Sequence, residues 1–110
     1  MDRKALMVRD WRQMEAVLQD ARALRTTPVL LTPERAAETY GAGYLAALQN
    51  RARRDYPDIA FTFIVDCGDT PGYALACLRA GVKLISMNPP NEKVADIARQ
   101  MGAELVRRPT

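Results

Sequence analysis

Strand-like and helix-like stretches alternate along the whole chain, and no other feature constrains its fold as tightly. The apolar runs Ala5–Val8, Val29–Leu31, Ile59–Val65, Val82–Met87 and Ala103–Val106 read as strands, and a helical pattern lies between each and the next. A single helix between consecutive strands makes them parallel, with right-handed crossovers. The expected fold class is therefore α/β, a parallel sheet of four to five strands alternating with helices. At 110 residues, with no repeat, linker or low-complexity stretch, residues 1–110 form one domain. A chain of this size buries roughly 65% of its unfolded surface, so the core needs no staple.

The helices are read from apolar spacing and from their ends. Trp11, Met14, Val17, Leu18, Ala21 and Leu24 form one stripe at helical spacing. Thr32, Pro33 and Glu34 resemble a cap, a first helical residue and a favourable first-turn acid. The helix expected there carries Ala37, Tyr40, Tyr44, Leu48 and Ala52 on one side, with Gly41 and Gly43 inside it. Each of those glycines costs ~1 kcal/mol relative to alanine, so they mark a close approach or a locally broken turn. Thr70 and Pro71 open the next helix and Gly81 stops it; Asn91 caps the last and Gly102 closes it. Residues 107–110 read as a polar tail.

Composition excludes several classes. Apolar residues make up 48% and charged residues 26%, with a net charge of +3, a balance that argues against disorder. The basic residues are scattered, so nucleic-acid binding is not indicated. Arg51, Arg53 and Arg54 read as a solvated helix end that suits the helix dipole. No apolar run is long enough to span a membrane. The start, MDRKALMVRDW, has no signal-peptide pattern, and the two cysteines read as reduced thiols, so a cytoplasmic location is expected. The absence of histidine removes the commonest metal ligand and general base together. No cofactor and no metal site is read from the residues.

The strongest strand ends in Val65-Asp66-Cys67-Gly68-Asp69. Together with Thr27-Pro28-Val29-Leu30-Leu31, the Tyr40-Gly41 and Gly43-Tyr44 pairs and the Ala80-Gly81 turn, this segment resembles the class II, metal-dependent fructose-bisphosphate aldolases. These are (β/α)8 barrels in which one strand ends in His-Leu-Asp-His-Gly. The resemblance places Asp66 on the proton-transferring Asp and Gly68 on the Gly. Cys67 stands in place of the zinc-binding His, Ile64 in place of the first His, and Asn88 where the family has Asp. A full barrel takes ~250 residues, so 110 residues correspond to its first half. The resemblance implies half of a TIM-type barrel; an open flavodoxin-like three-layer sandwich is the other arrangement of the same elements.

Asp66, Cys67, Gly68, Asp69 and Asn88 are the expected ligand-binding residues, because they sit at the carboxyl ends of strands, where α/β sheets bind ligands. Asp66 is expected to face a crevice rather than the core, and is the catalytic candidate if the chain is an enzyme. Each has a plainer role: Asp69 or Thr70 as helix cap, Cys67 and Cys77 as inert core thiols, Asn88-Pro89-Pro90-Asn91 as a stiff turn. Retained layout with lost metal ligands points to a non-catalytic small-molecule-binding or assembly module. Its ligand would resemble a sugar phosphate, and it would form a homodimer through open sheet edges. The alternative is a lyase or aldolase-type enzyme using Asp66, with any metal site completed across an oligomer interface.

Overall fold

The computed structural model describes residues 5–109; the first four residues of the start and Thr110 of the polar tail lie outside. The elements run β1 Ala5–Met7, α1 Trp11–Leu24, β2 Val29–Leu31, α2 Ala36–Tyr40, α3 Ala42–Asp55, β3 Thr62–Asp66, α4 Pro71–Ala80, β4 Leu84–Ser86, α5 Glu92–Gln100 and β5 Glu104–Leu105. All neighbouring strands are parallel, and their order in the sheet is β1-β2-β3-β4-β5. The α/β class and the parallel sheet agree with the sequence pattern. The strands are shorter than their apolar runs: Ile59, Ala60 and Phe61 precede β3, and Val82 and Met87 flank β4.

The alternating geometry of a strand sorts its residues onto two faces. Leu30, Phe63, Val65 and Ile85 join one buried cluster with Met14 and Leu18 of α1, Leu45 and Leu48 of α3, Cys77 and Leu78 of α4, and Val94 and Ala98 of α5. Met7, Leu31 and Ile64 are paired in register across β1, β2 and β3. In that row Leu31 and Ile64 are buried, while Met7, at the β1 edge, is 48% exposed. Phe61, although inside the apolar run that leads into β3, is only half-buried and packs against this cluster.

One expected helix is two. Gly41 adopts φ +87, which ends α2 and starts α3. Thr32 and Pro33 lie before the helix rather than at its cap, and Arg35 occupies the cap position in a left-handed conformation (φ 59). The break turns Tyr40 and Tyr44 outward, where their rings pack at 5.9 Å and Tyr44 Oη donates to the Arg9 carbonyl at 2.8 Å. The buried face of α3 is instead Leu45, Ala46, Leu48, Gln49 and Ala52. Gln49 is fully enclosed because both ends of its amide are used: Nε2 donates to the Gly81 carbonyl at 2.9 Å and Oε1 accepts from Lys83 N–H at 2.9 Å. It ties α3 to the turn before β4.

The other helix ends follow their residues. Asn91 accepts from Val94 N–H at 3.0 Å, Thr70 precedes Pro71 at the first helical position of α4, and Gly81 and Gly102 take positive φ. Arg51 stacks on Trp11 at 4.2 Å and Arg22 on Tyr56 at 4.6 Å, so the basic end of α3 helps pin α1 in place. Among the described residues no helix is long and apolar enough to cross a membrane.

Candidate functional site

The carboxyl ends of β2, β3 and β4 converge on Asp66, the last residue of β3. Its Oδ1 accepts from Arg35 N–H at 2.8 Å and from Gly68 N–H at 3.0 Å. Its Oδ2 accepts from Ser86 Oγ at 2.9 Å and lies 3.3 Å from Arg108 Nη1. Its own N–H donates to Thr32 Oγ1 at 2.9 Å. Asp66 thus lines a crevice, as expected from its place at a strand end, but its oxygens are engaged by protein donors rather than free. It is 5% exposed and joins the β2–α2 loop, the β3–α4 loop, β4 and the segment after β5. A buried carboxylate is tolerated because every oxygen has donors, one of them a guanidinium.

Above this carboxylate lies a cleft of about 810 Å³ whose lining includes Glu34, Arg35, Gly68, Asn88, Arg107 and Arg108, with Asp66 at its floor. Residues 105–109, Met87 and Pro90 also line it. Asn88 is exposed, and its N–H donates to the Gly68 carbonyl at 2.9 Å, which carries the β3–β4 pairing one step past the strand ends. Of the residues expected to bind a ligand, Asp66, Gly68 and Asn88 are thus brought together on one cleft.

Cys67 and Asp69 do not line that cleft. Successive residues of a strand point to opposite faces, so Cys67 turns away from Asp66 and into the helix-side core, where it is 2% exposed. The neighbouring Cys77 thiol and burial both push Cys67 upward, so it stays a thiol at neutral pH. Asp69 is half exposed. The Thr70 hydroxyl, 3.2 Å away, and the Arg35 guanidinium, 3.3 Å away, hold its carboxyl below its usual value.

Sequence reading missed Arg35, Ser86 and Arg108. Ser86 is visible only from register: it is the β4 partner of Asp66, hence its neighbour on the same face. Arg108 reaches back from the far end of the chain to the Thr32 carbonyl at 2.9 Å, a contact no local pattern announces. Arg35 is a left-handed non-glycine residue whose N–H is clamped by Asp66. Such backbone persists only where its surroundings over-determine it.

Gly68 shows how tightly the loops interlock. It has φ +64, and a Cβ there would stand 3.0 Å from Arg35 Cγ. Gly68→Ala is expected to cost about 1–2 kcal/mol from the left-handed backbone alone, and to push the Arg35 side chain off the cleft rim. Thermal unfolding checks this: a melting temperature equal to wild type would show that the turn relaxes freely.

The zinc centre implied by the aldolase resemblance does not fit these residues. The Cys67 thiol faces the core, the Asp66 oxygens are committed to protein donors, and among the described residues no three Cys, Asp or Glu side chains converge. No family model matches the chain, and no curated protein matches it significantly.

Proposed function

We propose that this chain is a non-catalytic, aldolase-like half-barrel module of the cytoplasm that binds a small anionic molecule, of sugar phosphate-like chemistry, and assembles as a homodimer. The observation that carries the binding reading is the charge arrangement of the cleft. Arg35, Arg107 and Arg108 line it against Glu34 and Asp66, and Asp66 is already neutralised by its own donors. Guanidinium groups suit phosphate and carboxylate oxygens, which they hold through paired hydrogen bonds. Asn88 adds an exposed amide suited to hydroxyl groups.

The non-catalytic reading rests on the same carboxylate. A general base must present a free oxygen within hydrogen-bond reach of the substrate proton. Both Asp66 oxygens face protein donors instead. The half-barrel reading is supported by the strand order, which never reverses; doubly wound sheets reverse direction at a switch point. Consecutive helices also pack on one another, α3 on α4 and α4 on α5. The dimer reading is supported by β1, whose outer edge is unpaired among the described residues and which exposes Leu6 at 43% and Met7 at 48%.

Thermal shift and calorimetry with a panel of phosphorylated sugars and their unphosphorylated parents test the binding reading. Phosphorylated members at about 100 times their dissociation constant should stabilise the fold by ~2.7 kcal/mol. The parents should not, and Arg107→Ala should weaken the effect. No response to any phosphorylated member would remove this reading, and turnover of one would favour the lyase alternative instead. Light scattering after size exclusion, at micromolar concentration, decides the dimer: the mass of one chain refutes it.

A further inference from the structure

One wall of the cleft differs from the rest in how it is held. The last ladder bond of the sheet runs from Val106 N–H to the Ile85 carbonyl at 2.8 Å. Beyond it, among the described residues, Arg108 makes the hydrogen bonds that tie residues 107–109 to the body: Nη1 donates to the Thr32 carbonyl at 2.9 Å and faces Asp66 Oδ2 at 3.3 Å. Residues 106–109 all line the cleft, Arg107 is exposed, and the Arg108 side chain is 22% exposed. The rest of the lining is held differently, at the ends of β3 and β4 and in the loops that Asp66 and Gly68 lock together.

We propose that residues 107–109 are a hinged wall of the cleft, that Arg108 is its latch, and that a ligand reaches the cleft when the latch opens. The latch is partly buried and charge-assisted, so it closes firmly, yet it is a single side chain, and no other hydrogen bond among the described residues ties residues 107–109 to the body once it lets go. The partner it leaves is suited to that exchange. Asp66 keeps the Arg35 and Gly68 N–H groups and the Ser86 hydroxyl when Arg108 departs, so the carboxylate is not stranded. An oxyanion in the cleft offers Arg108 the same charge it gives up. That role in ligand access rests on the binding reading above, but the latch itself is measurable without any ligand.

Amide hydrogen exchange on the ligand-free protein tests it, in wild type, Arg108→Ala and Arg108→Lys. A hydrogen bond to a charged group is strong enough that its loss should speed exchange of the Val106 amide, the last ladder donor before the latch, by about tenfold or more. Lysine, which keeps the charge but not the fork, should fall between the two. Amides of β3 in the same samples report global stability and should keep their wild-type rates. Unchanged exchange in Arg108→Ala overturns the latch. So does a parallel rise in the β3 amides, which would make Arg108 a strut of the whole fold rather than a local fastening. Because no ligand is present, failure here leaves the sugar-phosphate titrations to be judged separately.

Discussion

Asp66→Ala is expected to destabilise the protein by about 3–5 kcal/mol, the usual cost of removing one partner from a buried, charge-paired network. The variant would leave the Arg35 and Gly68 N–H groups, the Ser86 hydroxyl and one contact of Arg108 without their acceptor. For a domain near this size the melting temperature should fall by roughly 12 °C or more. Asp66→Asn should be milder, at about 1–3 kcal/mol: its amide oxygen still accepts the two backbone N–H groups, but its NH2 meets Arg108 donor to donor. Chemical denaturation of the three proteins checks the order wild type, Asn, Ala. A similar midpoint for all three would mean that the network adds no stability, and would return Asp66 to the role of a free reagent.

Phe63→Ala is the second large effect. Phe63 is 3% exposed, sits in register beside Leu30 at the centre of the sheet and belongs to the helix-side core. Its neighbours are fixed in strands on either side, so the site collapses little when the ring is removed. The expected cost is about 3–5 kcal/mol. The denaturant slope should stay at its wild-type value, because the surface exposed on unfolding hardly changes. A variant as stable as wild type would place β3 at the periphery and contradict the strand order.

Most of the architecture was legible in local patterns, because each element announces itself within a few residues. The stripe from Trp11 to Leu24, the β-branched and aromatic run at β3 and the Asn91 cap all act over one or two turns. The split at Gly41 was half visible: two glycines signalled a weak point, but which of them takes positive φ depends on how α3 must sit to bury Leu45 and Leu48. The strand boundaries were overestimated because hydrophobicity continues past the last ladder bond.

The site was less legible. Placing Cys67 beside Asp66 on one ligand surface conflicts with the two-residue repeat of a strand, and that signal was present in the chain. The role of Asp66 was not. Its partners Arg35, Ser86 and Arg108 lie 31, 20 and 42 positions away. Nothing local distinguishes a carboxylate waiting for a substrate from one already enclosed by its own protein. Only the register of β3 against β4 and the return of the chain over β2 decide between them.

The unreversed strand order also bears on how the chain reaches this state. Each strand pairs with the strand that precedes it in the chain, so each pairing closes a loop one strand–helix unit long. Sheets whose later strands must return to an earlier edge close longer loops before any contact rewards them, and they fold more slowly for it. Here ordering can spread from one strand to the next, as it does between neighbouring units of a solenoid. The contact from Arg108 to Thr32, which spans 76 positions, stands apart from that progression. Among the hydrogen bonds of the described residues it closes the longest loop, and a completed sheet between its ends would remove most of that closure cost.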